Sequence, residues 1–151
     1  MDLSIQIKLN NKLFLRNPED TELGKDILKF SIVLIHRLGI EHFTFKKLAE
    51  EIGTTEASVY RYFENKHLLL VYLVSWYWTW LEYQIVFQTN NILNPHQKLK
   101  KMIHIIGSHV VDDQSTAHIN EYLLYEIVMS EGIKAYMTKH VKSDNAHHFF
   151  K

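Results

Sequence analysis

Residues 44–66, TFKKLAEEIGTTEASVYRYFENK, limit the fold most narrowly, because their spacings describe two short helices joined by a tight turn. Apolar residues recur at i, i+3, i+4 and i+7 of the first helix: Phe45, Leu48, Ala49 and Ile52. Gly53 can take the left-handed conformation that ends a helix and turns the chain. Thr55 is placed to cap a second helix, whose inner side carries Val59 and Phe63. These features predict a helix-turn-helix.

The second helix leaves small and hydrogen-bonding residues on its outer side. Such a surface fits a DNA major groove, because small side chains permit close approach and polar ones can donate to phosphate or base edges. The helix is too short to persist alone, so its neighbours must hold it. The predicted DNA contacts are Thr44, Thr55, Glu56, Ala57, Ser58, Tyr60, Arg61 and Lys66.

The same stretch closely resembles the DNA-binding domain of TetR-family transcriptional regulators. The resemblance rests on Phe43-Thr44, on Leu48-Ala49 with Gly53, and above all on SVYRYFENK at residues 58–66. By motif it covers about residues 21–66. It implies an all-α fold with a three-helix DNA-binding domain and a helical ligand-binding body. It also implies a homodimeric regulator, most often a repressor, that a small-molecule inducer releases from a palindromic operator.

The resemblance also suggests roles for the contact residues. Phosphate contact is expected of Lys66 and Tyr60, and base contact or positioning of Arg61, Thr55 and Ser58. Glu56 departs from the family, in which a lysine is common at this position. An acid there repels phosphate but can accept a hydrogen bond from cytosine, so the departure bears on operator sequence more than on binding.

Charge does not favour DNA binding. Between Arg37 and Lys66, five basic residues balance five acidic ones, whereas nucleic-acid binders usually carry a basic face. Small helix-turn-helix dimers can still bind with few phosphate contacts per subunit, because two copies act together and helix N-termini attract phosphate. The motif therefore carries the prediction.

Residues 1–20 are predicted to form an N-terminal extension with a small β-hairpin. Apolar residues alternate with polar ones on both sides of residues 10–12. A three-residue loop would pair position 9 with 13 and 7 with 15, which places the aliphatic residues on one face. Family members more often begin with a flexible arm, so this extension is a departure.

The first helix of the DNA-binding domain, residues 21–66, is predicted to start at Asp20 or Thr21 and to close at Gly39. Asn65 should cap a long fourth helix that reaches about Thr89. The helical body, residues 67–151, should continue with a helix from Pro95 to about residue 111, a loop at 112–115 and a helical region at 116–141, bent near Gly132. The bodies of family members usually end with two more helices that form the dimer interface, and this body is expected to lack them.

Aromatic residues of the body can line a pocket for a flat or apolar inducer, or can simply form its core. The predicted pocket residues are Trp76, Trp80, Tyr83, Phe87, Tyr122, Tyr125 and Met129. The resemblance implies that the inducer shifts the fourth helix and changes the spacing of the two DNA-binding helices from the roughly 34 Å of one DNA turn.

Other function classes find little support in the chain. There is no nucleophile elbow, Walker glycine pattern or dinucleotide fingerprint, so an enzyme is not expected. None of the ten histidines has a spacing such as HExxH, and no metal or cofactor is expected. Without cysteine, a secretory signal or an apolar run of eighteen residues, the protein is expected to be cytoplasmic and to have no membrane partner. The alternative is a helical ligand- or protein-binding module that keeps the helix-turn-helix only as scaffold.

Overall fold

The computed structural model of the protein describes residues 7–108 and 117–136. Within those ranges the chain is helical and contains no strand. A short 3-10 helix, Pro18–Asp20, precedes α1 (Glu22–Leu38), α2 (Phe45–Ile52), α3 (Glu56–Tyr60), α4 (Lys66–Thr89), α5 (Pro95–Gly107) and α6 (Glu121–Tyr136). The predicted all-α class is confirmed.

Polar side chains set the starts of the first four α-helices. The caps and the amides that they accept from are Thr21 with Gly24 at 3.0 Å, Thr44 with Lys47 at 3.2 Å, Thr55 with Ser58 at 3.2 Å and Asn65 with Leu68 at 2.9 Å. Each bond satisfies a backbone donor that a helix N-terminus leaves unpaired. Of the two caps predicted for α1, the structure uses Thr21.

Glycines in unusual backbone conformations end α1 and α2, as predicted. Gly39 has φ 76° and Gly53 has φ 82°, a region that L side chains rarely adopt. Gly53 also has ψ 34°, the left-handed conformation that closes a helix, and its N–H donates to Ala49 O at 2.9 Å. These two turns set the path of the chain into and out of α2.

One hydrophobic core joins α1, α2, α3 and the first half of α4. From Leu69 to Val74 every residue of α4 is buried, so other elements surround this part of the helix. α6 packs against both α4 and α1, whereas α5 packs against α4. α6 therefore packs on the helix-turn-helix region through α1 and on the long helix α4.

The predicted N-terminal hairpin is wrong for residues 7–16, where no strand forms; residues 1–6 lie outside the described ranges. The chain does turn at the expected place, because Leu13 N–H donates to Asn10 O at 3.1 Å. However, Leu15 N–H donates to Tyr62 O at 2.8 Å, and the Leu15 side chain is 65% exposed. A hydrogen bond to the segment just after α3 thus replaces the strand pairing that alternation predicted.

Other helix boundaries also differ from prediction. α3 ends at Tyr60 rather than at residue 63, because the next amides bond back to Val59 O in a turn. α5 ends at Gly107 rather than near residue 111, since Ser108 is extended. α6 begins at Glu121 and continues through Gly132 as one helix. The predicted loop at 112–115 and the stretch at 137–141 lie outside the described residues.

Candidate nucleic-acid interface

The second helix of the helix-turn-helix, α3, divides into a buried and an exposed side. Val59 and the following Phe63 are 0% exposed and anchor the helix in the core. The outer side carries four exposed residues that belong to the predicted contact set: Glu56, Ala57, Tyr60 and Arg61. A helix of five residues is stable only when it is held in this way, so its outer side is presented by the domain around it.

Tyr60 and Arg61 are available to a partner. The Tyr60 side chain is 45% exposed, and its ring packs edge-on against Phe45 with centroids 4.9 Å apart. This contact fixes the ring against α2, while the hydroxyl bonds to none of the described residues. Arg61 is exposed, and within the same residues its guanidinium forms no ion pair or hydrogen bond. A guanidinium in that state can bind a phosphate or a base edge in a bidentate way.

The hydroxyls of Thr55 and Ser58 bond to each other at 2.8 Å, and Thr55 Oγ1 also accepts from Ser58 N–H. One of the two hydroxyl protons is used between them and the other remains for a ligand. Thr44 is exposed and caps α2. All three residues therefore have a structural task in addition to any contact with DNA.

Lys66 lies at the start of α4 and faces the corner between α1 and α2. Its ammonium donates to the backbone carbonyls of Ile40, Glu41 and Phe43. The ammonium group that was predicted to contact phosphate is thus hydrogen-bonded within the protein itself. The adjacent Lys47 ammonium also donates to this corner, to His42 O at 2.7 Å.

Tyr62 is a buried residue that stabilises the interface, and the sequence did not indicate this role. It is buried, its hydroxyl hydrogen-bonds with Thr21 Oγ1 at 2.7 Å, and the Arg16 guanidinium lies 5.4 Å from its ring centroid. Together with the bond from Leu15 N–H, these contacts join the N-terminal segment to the chain just after α3. The partners are more than 40 residues apart in sequence, so no local spacing could have indicated them.

The residues predicted to line an inducer pocket do not share one environment. Trp76 and Trp80 are buried and stack with centroids 6.4 Å apart. Trp80 Nε1 is buried and has no hydrogen-bond partner in the part of the chain that the structure describes. Tyr125 is half-buried and lies beside Tyr77, with ring centroids 6.2 Å apart. The exposed members of the set are Tyr83, Phe87, Tyr122 and Met129.

A cleft of about 430 Å³ lies between the N-terminal segment and α4, away from the predicted pocket residues. Its lining includes Phe14, Glu19, Asp20 and Tyr72. Burial raises the pKa of the Tyr72 hydroxyl, and the carboxylates of Glu19 and Asp20 raise it further. The phenol therefore stays protonated at every physiological pH.

Side chains with ionisable groups connect α6 and the residues just before it to residues 19–41 at three places. His118 Nε2 lies 2.8 Å from Glu19 Oε2, His36 pairs with Glu126, and Lys134 Nζ lies 3.3 Å from Glu41 Oε1. His36 and then Tyr122 donate hydrogen bonds that lower the pKa of the Glu126 carboxyl. His118 thus has a carboxylate partner. Within residues 7–108 and 117–136 no helix has the length and apolarity that a membrane crossing requires.

Two short helices at a left-handed turn, fixed on a third helix and exposing a polar outer side, define a helix-turn-helix protein. Residues 27–73 match the family model described as "Bacterial regulatory proteins, tetR family". This match confirms the predicted resemblance over that segment and supports a DNA-binding regulator of that family. Neither a search of curated proteins nor a search of solved structures returns a significant match.

Proposed function

We propose that the protein is a transcriptional regulator that binds a palindromic DNA duplex as a homodimer and is released by a small molecule. The DNA-binding domain comprises residues 21–66, and residues 67–151 form the regulatory body. The observation that carries the proposal is the exposure of Tyr60 and Arg61 on α3, opposite the fully buried Val59 and Phe63. A surface covered by the protein's own body could not bind DNA.

In this proposal α3 enters the major groove with its outer side toward the bases. Ala57 permits close approach, and Arg61 binds a base edge or phosphate. The Tyr60 hydroxyl donates to phosphate, and the edge-on contact with Phe45 fixes the position of its ring. Glu56 accepts from a cytosine amino group and rejects bases that offer only acceptors at that position. Thr44, Thr55 and Ser58 add hydroxyl contacts at the helix starts.

The balanced charge of the domain predicts a shallow salt dependence. Each phosphate contact adds roughly 0.9 to the slope of log affinity against log salt concentration. Because Arg61 and few other cations can contact phosphate, the log affinity of the dimer should fall with log salt concentration with a slope of only about 2 to 4 in magnitude. Affinity then depends more on base contacts and on the joint binding of two subunits.

Exposed apolar residues of the body support the homodimer. Phe87 at the end of α4 is 82% exposed, and Leu99, Ile103 and Ile106 form an exposed stripe on α5 at i, i+4 and i+7. A contiguous apolar surface is typical of an association site. Light scattering of the purified chain should give twice the mass of one chain, and a monomer at all concentrations would exclude the dimer.

The stacked pair Trp76 and Trp80 supports the proposed inducer site. Both residues belong to α4, the helix that begins immediately after the DNA-binding domain. The buried Trp80 N–H has no acceptor among residues 7–108 and 117–136, and a ligand with a carbonyl or carboxylate oxygen would satisfy it. A ligand that inserts beside this pair would displace α4 and so the domain attached to its first turn.

The proposal is tested by selecting duplexes from a random pool and measuring affinity for the recovered sequence by fluorescence anisotropy. Arg61→Ala should weaken binding by roughly 5-fold to 150-fold, the effect of losing about 1–3 kcal/mol of base or phosphate contact. Arg37→Ala is the matched control, since Arg37 is also exposed and lies outside the helix-turn-helix. No enrichment of any duplex, even at low salt, would reject DNA binding.

The second candidate is a helical ligand- or protein-binding module in which the helix-turn-helix is only scaffold. The equal numbers of acidic and basic residues between Arg37 and Lys66 favour it. It predicts a chain that folds and binds its ligand but shows the same negligible DNA affinity with and without Arg61→Ala.

A further inference from the structure

The Lys66 ammonium lies in a cradle of three backbone carbonyls. Nζ is 2.9 Å from Ile40 O, 3.2 Å from Glu41 O and 3.1 Å from Phe43 O. An ammonium has three N–H donors, so these bonds use all of them. Hydrogen bonds from a charged donor are roughly twice as strong as those from a neutral one.

The path of the chain after α1 forms this cradle. Gly39 has φ 76°, and Phe43 N–H donates to Gly39 O at 3.1 Å, so residues 39–43 double back on themselves. The carbonyls that follow a helix end have no helical partners and lie at the negative end of the helix dipole. A cation fills this position better than a neutral side chain would.

The cradle connects two elements that have different roles. Lys66 is the first residue of α4. The carbonyl of Phe43 immediately precedes Thr44, whose hydroxyl caps α2 by accepting from Lys47 N–H. The bond from Lys66 to Phe43 O therefore ties the start of α4 to the start of the helix-turn-helix.

We propose that Lys66 is a positioning residue, which fixes the corner between α1 and α2 on α4 and does not contact phosphate directly. The consequence for DNA recognition rests on the proposed function. Because α4 also carries the Trp76 and Trp80 pair, Lys66 is the link through which a displacement of α4 reaches α2.

Two substitutions separate positioning from phosphate contact. Lys66→Met removes the charge and all three donors but keeps the length of the side chain. Lys66→Arg keeps the charge, which suffices for a phosphate, but its planar guanidinium cannot direct three donors from one nitrogen. Lys98→Met is the matched control, since Lys98 is exposed on α5 and its side-chain ammonium has no polar partner within the described residues.

The first measurement uses the free protein and does not depend on DNA. Lys66→Met and Lys66→Arg should both lower Tm by roughly 5 °C, whereas Lys98→Met should leave it within about 1 °C. Amide hydrogen exchange should accelerate at Phe43 and Lys47, the donors nearest the cradle, in both Lys66 variants. An unchanged Tm together with unchanged exchange would overturn the proposal.

The second measurement is affinity for the selected duplex at several salt concentrations. Loss of positioning raises Kd by one factor at every concentration, so the plots of log Kd against log salt stay parallel. Loss of a phosphate contact would instead lower the slope by about 1 per contact. A shallower slope in Lys66→Met, with Lys66→Arg like the wild type in Tm and affinity, would establish the phosphate contact and reject positioning.

The remaining outcomes also decide between the two roles. A Lys66→Met protein that fails to fold supports positioning, because removal of an exposed phosphate contact would leave folding intact. If the wild-type protein binds no duplex, the proposed function fails, while Tm and hydrogen exchange still decide whether Lys66 holds the corner.

Discussion

The helix α2 of the DNA-binding domain and the helix α5 of the body have similar apolar spacing but opposite fates. α2 has eight residues and buries three of them, whereas α5 has thirteen residues and buries none. α2 lies between α1 and α3, whereas α5 packs on α4 alone among the pairs with substantial contact in the described residues. The comparison shows that periodicity fixes where the apolar face of a helix lies, but the tertiary structure decides whether it is covered.

The same contrast separates the two regions in what stabilises them. In the DNA-binding domain, caps, glycine turns and buried apolar residues all support one arrangement, which is the consistency expected of a sequence that specifies a single structure. In the body, exposed apolar residues extend from the end of α4 along α5 and over α6. We therefore expect equal substitutions to have unequal effects in the two regions.

The largest difference should come from truncating one phenylalanine in each region. Phe63 is fully buried and packs edge-on against Tyr72, with centroids 5.4 Å apart, so Phe63→Ala should lower the free energy of unfolding by about 4 kcal/mol. Phe87→Ala removes the same atoms from an exposed site, so it should change that free energy by less than about 0.5 kcal/mol. Urea unfolding followed by circular dichroism measures both.

Measuring both phenylalanine variants at several protein concentrations makes this comparison more specific. If Phe87 lies in the proposed dimer contact, its truncation should lower stability more at high than at low protein concentration, because association stabilises the folded state by mass action. The effect of Phe63→Ala should not depend on concentration. Equal losses for the two variants at every concentration would contradict the contrast between the regions.

Alanine substitutions at two helical glycines should change stability by smaller amounts and in opposite directions. A Cβ on Gly24 would lie 2.2 Å from Pro18 O, so Gly24→Ala must displace backbone and should cost about 2 to 3 kcal/mol. A Cβ on Gly132 would meet Val128 Cγ1 at 3.7 Å, an ordinary contact. Gly132→Ala should therefore gain about 0.5 to 1 kcal/mol, because alanine favours the helix. Thermal unfolding of both variants checks the two signs, and a stabilised Gly24→Ala would refute the close approach.

Two N-caps offer the next test. Thr55→Ala should cost about 1 kcal/mol of global stability, because α3 unfolds together with the core around Val59. Asn94 caps α5 by accepting from the amides of His96 and Gln97. Since α5 buries no residue, Asn94→Ala should mainly speed amide exchange in α5. It should lower the global free energy of unfolding by less than about 0.5 kcal/mol. Equal global losses would show that α5 unfolds with the core.

The sequence allowed much of the DNA-binding domain to be predicted, because its signals are local. The predicted caps at Thr21, Thr55 and Asn65 and the glycine turns act over a few residues, and the structure has each of them. The hairpin failed because Leu15 bonds to Tyr62, far away in sequence. The same limit applies to Lys66, whose spacing suits a phosphate contact but whose partners are set by the fold around Gly39. In the body, aromatic spacing placed Trp76 beside Trp80, but no pattern could show which aromatic residues stay exposed.

The smallest effect concerns the contact between the two regions at Glu126 on α6. Because hydrogen bonds from His36 and Tyr122 lower the pKa of this carboxyl below its ordinary value of 4.5, its ionised form is favoured by folding. Its contribution to stability is therefore present above pH 4.5 and is lost as pH falls through the lowered pKa. Glu126→Gln should reduce Tm slightly at pH 7, and the deficit relative to the wild type should shrink below pH 4.5, as pH falls through the lowered pKa. Glu50→Gln is the control, because that exposed carboxylate on α2 has no polar partner within the described residues. A Glu126→Gln deficit that stays constant down to pH 3 would mean that this contact depends on the shape of the side chain and not on the carboxylate charge.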